Sequence, residues 1–470
     1  MSGGSVGLLL WSRGESERFE VAGCGLQGVV SRASARWVKR RSAPLISERL
    51  PCRFDKGDAV QALMYGVKPD PAPPEPGSDD NHLLRGLARA PMRLMDVDDP
   101  GFLLSDWVVT KPRLTGICGS DSKQVFMDWG EVATPDNPMK AFFSLPQVLG
   151  HEVVADVVAV GPEAEGLDVG DRVVLNPWLS CGPRGVSPAC PACEIGDYSL
   201  CWSFAVGPIA PGIHTGTSKD ASGGYAELMP AHDSMLFKVP DEVPDELAVF
   251  ADPFAVSLHA VTRHPPPKGA KVMVYGAGAL GTCTTAILRA LYPDVDVLVV
   301  ARFEAQADMA RKLGATVIGH TPALRVIEEA NEWAGGVLQP SDGLPMAYPG
   351  EIDVVYDTIG KQETFEIGAR VMKARGTIVK AGVHGPTFWE DTPLYFKEVS
   401  LVGSNAFGFE EVDGERRHGI EHYLELVRDG RIDLSGMLTH TFKLGDWRDA
   451  FIALATQDQS GAIKVAFDFR

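Results

Sequence analysis

Six residues of this 470-residue chain join a type that holds soft metal ions to a spacing that could bring them together. Cys118 lies in Gly116-Ile117-Cys118-Gly119-Ser120-Asp121, and His151 lies in Gly150-His151-Glu152. Cys181, Cys190, Cys193 and Cys201 follow. Thiolate sulfur and imidazole nitrogen are the donors zinc prefers. Cys190-x2-Cys193-x7-Cys201 with Cys181 upstream supplies four thiolates, enough to close a structural tetrahedron over residues 181–201. Cys118 and His151 are too few to close a shell, which suits an open site where chemistry occurs. Asp121 could orient the His151 ring from behind. A third ligand must come from elsewhere; Asp252 in Phe250-Ala251-Asp252-Pro253 is the candidate, with Glu152 as competitor. Two zinc ions per chain are expected.

These residues need strands and tight loops to bring them together. Asp106–Thr110, Val153–Val160 and Asp171–Leu175 are short β-branched runs separated by Gly and Pro turns, the pattern of a β-rich, barrel-like domain. Pro112 interrupts the first run, so a bulge or an edge position is expected there. From Pro253 strands alternate with helices, which means a parallel, doubly wound sheet. Its first strand, Lys271–Tyr275, runs into Gly276-Ala277-Gly278-Ala279-Leu280-Gly281 and a helix. In that context Gly276 permits the turn, Gly278 lets backbone approach a pyrophosphate, and Gly281 lets helix pack on sheet. Sites selective for NAD place Asp or Glu at the end of the second strand, on the ribose 2′-hydroxyl. Here Ala301 and Arg302 stand there. No carboxylate repels a 2′-phosphate and a guanidinium can pair with one, so NADP is favoured over NAD. From about Phe396 the β-rich pattern returns, so the tail should rejoin the first domain.

The expected organisation is residues 60–252 as a β-rich catalytic part, 253–395 as the dinucleotide-binding domain, and 396–470 as the return. Residues 1–59 are foreign to the rest. They carry ten Lys/Arg against six Asp/Glu, net +4, which leaves −22 for the remainder of a chain of net charge −18. They read as a disordered arm or as spurious upstream sequence with Val60 as the true start. Glu15, Glu17 and Glu20 speak against a transit peptide, which is poor in acid. The acidic balance excludes nucleic acid as the main partner. No apolar run reaches the ~18 residues of a membrane span. Five of eight cysteines fall in one metal-type stretch, which points to thiolates kept reduced, and hence to the cytoplasm.

Together with Val169-Gly170-Asp171-Arg172-Val173 and Gly223-Gly224-Tyr225-Ala226-Glu227, these motifs resemble the zinc-dependent medium-chain dehydrogenase/reductase family of alcohol dehydrogenase type, over residues 61–470. The resemblance implies a GroES-like catalytic domain built from both ends of the chain, with a Rossmann domain inserted. It implies that Cys118, His151 and Asp252 bind a catalytic zinc with Glu152 beside it, and that Ser120 hydrogen-bonds the substrate hydroxyl. Gly360, Lys361, Ala381, Gly382 and Val383 match segments that line the nicotinamide and its ribose. The expected reaction interconverts an alcohol and an aldehyde or ketone by hydride transfer, in a homodimer or homotetramer. A zinc-free quinone or enone reductase on the same fold lacks the ligands present here, and a catalytically silent nucleotide-binding protein would have lost Cys118 or Ser120. Three features depart from the family pattern. Asp stands at 252 where Cys or Glu is usual. Eight residues, Gly182–Ala189, separate Cys181 from Cys190 and must loop out. Lys123 replaces the histidine that ends the proton relay in some members. Phe126, Trp129 and Trp178 could wall the substrate.

Overall fold

The computed structural model describes residues 59–69, 81–128, 138–383, 385 and 388–470, which belong to one compact unit. Residues 1–58 of the expected extension and Trp129 lie outside the described residues. The β-branched runs around the Cys118 motif form one sheet. Its strands lie in the order Leu438–Phe442, Lys464–Asp468, Trp107–Gly116, Glu152–Val160, Arg172–Leu175 and Leu236–Lys238, and Met229–His232 also pairs with Trp107–Gly116. The last strand of the chain therefore runs beside the strand that leads to Cys118. Pairing between Trp107–Gly116 and Glu152–Val160 shifts register between Pro112 and Leu114. A proline gives the ladder no N–H, and the irregularity falls on Arg113 directly after it, with a second shift between Val109 and Thr110.

The register of this sheet builds part of the site. Gly116 stands opposite Glu152 on one side and Ala466 on the other. Lys464, two residues before Ala466, points to the same face because side chains alternate along a strand. A Cβ at Gly116 would lie 2.3 Å from Glu152 Oε2 and 2.9 Å from Lys464 Cε. The glycine is what allows a carboxylate and an ammonium to meet over the central strand.

The second sheet has six parallel strands in the order Thr316–Gly319, Asp296–Ala301, Lys271–Tyr275, Ile352–Asp357, Met372–Lys380 and Ser400–Gly403. Val272, Val274, Leu298, Val300, Val354 and Val355 are all buried. Helices cover both faces of such a sheet, so its inner strands carry apolar residues without alternation. The edge strand Ser400–Gly403 pairs with Met372–Lys380, so this sheet continues past residue 395, where the sequence reading began the return to the catalytic part. That strand reads as part of the tail because no helix-length run separates it from the residues that follow. Helix Ala251–Arg263 joins the two sheets and packs on helix Ala279–Leu291, with Ser257 Oγ donating to the Leu280 carbonyl at 3.0 Å.

Candidate active site and metal centres

Cys118 is the N-cap of helix Gly119–Val125, its backbone still extended as it leaves the central strand. Glu152 begins the neighbouring strand and His151 immediately precedes it. One donor atom from each of Cys118, His151 and Glu152 lies within 4.8 Å of the others. Asp252 falls outside this trio. It is buried in the first turn of helix Ala251–Arg263, within electrostatic range of His151 and Glu152. Burial pushes the Asp252 carboxyl up to about 7, with Glu152 adding to the rise and His151 and Lys464 opposing it. The geometry therefore brings Glu152, the competitor, into the group, and leaves Asp252 beside it. Glu152 gets there because it pairs with Gly116, two residues before Cys118; Asp252 approaches from another element.

Lys464 forms a fully buried ion pair with Glu152. Sequence reading missed it, since nothing in Ile463–Phe469 marks a lysine as buried. Burial works against the Lys464 ammonium, but Glu152 and Cys118 outweigh it and hold its pKa above the usual lysine range. Behind His151, Asp121 Oδ1 stands 3.5 Å from Nδ1, in ion-pair range without a hydrogen bond, and Asp121 Oδ2 accepts from the Tyr225 hydroxyl at 2.9 Å. Burial opposes ionisation of Asp121, yet the His151 charge outweighs it and lowers its pKa. Burial likewise pulls His151 down, and Asp121 and Cys118 overcome it and raise it. A ring turned by one nitrogen toward a carboxylate presents the other to a metal.

His214 is a second residue the sequence did not mark. Its ring centre is 4.6 Å from that of His151, and its Nδ1 donates to the Thr215 carbonyl at 2.7 Å. Burial and the His151 charge hold its pKa down at about 3. Trp178 packs edge-on against it at 5.7 Å. Of the other proposed wall residues, Phe126 is core, edge-on to Phe451 at 5.8 Å. Ser120 is half-buried, and its hydroxyl makes no hydrogen bond among the described residues.

The four lobe cysteines are free thiols gathered into a second group, with donor atoms also within 4.8 Å of one another. Cys181 Sγ is 3.6 Å from Cys201 Sγ, and Cys190 Sγ is 4.0 Å from it. A tetrahedron with ~2.3 Å zinc–sulfur bonds has an edge of ~3.8 Å, so this spacing fits the ion. The amides of Cys190, Trp202 and Ser203 donate to Cys181, Cys190 and Cys201 at 3.3, 3.4 and 3.2 Å. Burial opposes the Cys190 thiolate, but the Trp202 and Cys193 hydrogen bonds outweigh it and bring the thiol to about 7; burial pushes Cys201 up to about 11. Four thiols this close cannot ionise together without a cation, and that demand is what a metal answers. The insertion Gly182–Ala189 does not simply loop into solvent. Arg184 is fully buried and its guanidinium donates to the carbonyls of Val206 at 2.6 Å, Gly212, Ile209 and Ala210.

In the nucleotide sheet, Gly276 has φ +102°, and a Cβ at Gly281 would lie 1.9 Å from the Gly276 carbonyl oxygen. Nothing stands within 4 Å of a Cβ at Gly278, which caps helix Ala279–Leu291 with no side chain. That leaves open space before unsatisfied N–H groups, where a pyrophosphate fits. A cavity of about 340 Å³ is lined by Ala301, Arg302, Phe303 and His320 among others. Arg302 is exposed, lies over the Phe303 ring at 5.0 Å, and makes no ion pair among the described residues. Asp357 ties the next two loops together. Its carboxylate accepts from the amides of Ile359 and Gly360 at 3.0 and 2.8 Å, and its carbonyl accepts from those of Ala381 and Gly382 at 3.0 and 2.9 Å. Lys361 follows Gly360 and is exposed, as is Val383 after Gly382.

Residues 105–241 match the family model described as alcohol dehydrogenase GroES-like domain, and residues 279–417 match that described as zinc-binding dehydrogenase. The chain belongs to the zinc-dependent medium-chain dehydrogenase/reductase family. It is 28% identical over 383 residues to a probable diacetyl reductase [(R)-acetoin forming] of Saccharomyces cerevisiae, covering 78% of this chain and 85% of that one. It is 28% identical to an L-threonine 3-dehydrogenase of Aeromonas hydrophila, covering 80% of this chain and 96% of that one. The fold is shared with an alcohol dehydrogenase of Escherichia coli solved with NADH, at 22% identity and a TM-score of 0.64 over 88% of this chain and all of that one. As a member of this family the chain is an oxidoreductase that uses zinc and a nicotinamide cofactor to interconvert an alcohol and a carbonyl compound. Among the described residues no helix is long and apolar enough to cross a membrane.

Proposed function

We propose that Cys118, His151 and Glu152 hold a catalytic zinc, with Asp252 as a fourth ligand in reserve, and that Cys181, Cys190, Cys193 and Cys201 hold a structural one. The observation that carries this reading is the mutual approach of the Cys118, His151 and Glu152 donor atoms within 4.8 Å in a buried site. The donor set of thiolate, imidazole and carboxylate suits zinc. Bound there, zinc supplies Lewis acidity at the substrate oxygen, and the nicotinamide supplies the hydride chemistry. The protein's own part is positional. Asp121 and Tyr225 fix the His151 ring. Ser120 Oγ hydrogen-bonds the substrate hydroxyl and, as oxidation proceeds, takes up its proton while releasing its own hydroxyl proton to solvent, with the reverse on reduction. Asp357 holds the Gly360 and Gly382 loops so that Gly360, Lys361, Ala381 and Val383 can seat the nicotinamide.

Gly276, Gly278 and Gly281 receive the pyrophosphate, and Ala301 and Arg302 select NADP over NAD. The unpaired guanidinium on the rim of the adenosine-side cavity supports that preference. Diacetyl and L-threonine, the compounds in the relatives' names, both carry a polar group on the carbon next to the reacting one. Substrates with such a neighbour, vicinal diols and hydroxy ketones, are the class we assign. The open edge strand Ser400–Gly403, which carries exposed Leu401 and is preceded by exposed Tyr395 and Phe396, supports pairing with a second copy in a homodimer or homotetramer.

Metal analysis tests the core of this reading. Purified protein should hold two zinc ions per chain, about one per site, and Cys118→Ala should lose one of them together with turnover while still binding NADPH. A Cys118→Ala protein with full zinc content would remove Cys118 from the metal.

A further inference from the structure

His214 stands beside the Cys118, His151 and Glu152 site without joining it. Its ring centre is 4.6 Å from that of His151, yet it is not one of the donors that approach one another within 4.8 Å. The backbone around it is pinned from three sides. His214 pairs with Trp178 in a β-bridge, flanked by hydrogen bonds from the Thr215 amide to the Pro177 carbonyl at 2.8 Å and from the Leu179 amide to the Ile213 carbonyl at 3.1 Å. Gly216 has φ +85°, and a Cβ there would stand 3.1 Å from the Val148 carbonyl oxygen, so the loop sits directly on the chain that leads to His151. Thr217 Oγ1 accepts from the His214 amide at 3.1 Å and closes the turn. A ring on so fixed a backbone, packed against the rings of both His151 and Trp178, has little room to turn.

The two nitrogens of this ring have different work. Nδ1 lies 2.7 Å from the Thr215 carbonyl, which can only accept, so Nδ1 carries the hydrogen. Nε2 of the neutral imidazole is then a lone pair. It lies across the ring from the bond to its own loop and has no hydrogen-bond partner among the described residues. Unlike His151 Nδ1, it is not shut off from solvent, and His214 is half-buried. Packing against His151 and Trp178 asks only for a ring, and holding the loop asks only for Nδ1. We propose that His214 Nε2 determines specificity by accepting a hydrogen bond from a hydroxyl or ammonium group on the substrate carbon next to the reacting one. The proposal rests on the reading of the Cys118 site as the place of reaction, and it divides the substrate class further. A vicinal diol, a hydroxy ketone or an amino alcohol donates to the lone pair. A diketone or a simple alcohol cannot, and leaves Nε2 unpaired where substrate has displaced water.

The test is calorimetric titration of butane-2,3-diol, and separately of butan-2-ol, which lacks the second hydroxyl, into zinc-loaded enzyme saturated with NADPH. The reduced cofactor cannot accept hydride, so binding is read without turnover. The diol should bind ~10-fold more tightly, the scale of one hydrogen bond whose loss leaves its acceptor unpaired. His214→Phe keeps a ring against His151 and Trp178 and removes the acceptor. It should bring the diol down to the affinity of butan-2-ol and leave the affinities for butan-2-ol and NADPH as they were. Zinc content reports folding, and His214→Leu carries the same comparison if the phenyl ring does not fit. Equal affinity of the unaltered enzyme for the two alcohols overturns the proposal whatever the variants do. So does a preference for the diol that survives in a zinc-replete variant, or an equal loss of both alcohols, which would make His214 a packing residue. Full zinc in Cys118→Ala would sink the metal reading and leave the comparison of the two alcohols standing.

Discussion

Replacing Lys464 with methionine should cost much more stability without zinc than with it. The side chain is 2% exposed and pairs with Glu152, 1% exposed, over Gly116. Methionine matches the aliphatic stem and removes the charge. In metal-free protein the variant leaves a buried carboxylate uncompensated, a change that costs roughly 3–5 kcal/mol. When zinc occupies the Cys118 site, the dication takes over that compensation, and the loss should fall to about 1 kcal/mol, the scale of a single net hydrogen bond. The difference, roughly 3 kcal/mol, must reappear in a thermodynamic cycle as tighter zinc binding by the variant, about two powers of ten in dissociation constant. Urea unfolding of both proteins, with chelator and with zinc, gives one side of the cycle. Competition against a chromophoric chelator gives the other. Equal destabilisation with and without metal would show that Glu152 does not exchange Lys464 for zinc, and the trio would then lose its third ligand.

Other consequences follow from single contacts. Arg302→Ala should lower the preference for NADP over NAD by ~10-fold or more, since a phosphate contact of a guanidinium is lost; an unchanged ratio of kcat/KM for the two cofactors would remove Arg302 from selection. Asp245 is held by Arg113 at 2.8 Å, Arg172 at 3.0 Å and Arg470 at 3.4 Å, and although burial opposes its ionisation, these hydrogen bonds lower its pKa. Its stabilisation is therefore complete above the unfolded carboxyl pKa and vanishes as pH falls through the folded one. Asp245→Asn should cost about 2 kcal/mol at neutral pH, and the gap in urea midpoint should close in acid; a gap independent of pH would contradict the linkage. Leu401→Lys on the open edge strand should shift the solution mass toward the monomer, and an unaltered mass by light scattering would place the subunit contact elsewhere.

What could be read from the chain without coordinates was what is local. The glycine fingerprint announces its turn because strand, Gly276, Gly278, Gly281 and helix are contiguous, and the lobe cysteines announce their gathering because three of them lie within twelve residues. Pro112 foretells its bulge because the missing N–H is a property of that residue alone. The pairs that were not legible join distant segments. Lys464 reaches Glu152 only because the last strand pairs with the one ending at Gly116, a register that the residues of Ile463–Phe469 do not disclose. Arg184 reads as an exposed loop residue until carbonyls of Val206, Ile209, Ala210 and Gly212 surround its guanidinium, and His214 arrives beside His151 on the segment those carbonyls belong to. The same reasoning explains the choice between Asp252 and Glu152. Sequence pattern favours the residue at the family's usual position, whereas geometry favours the one that strand pairing delivers. Gly116 makes room for it, since a Cβ there would lie 2.3 Å from Glu152 Oε2 and 2.9 Å from Lys464 Cε. An active site of this kind is thus specified less by its ligands than by the residue kept small enough for them to meet.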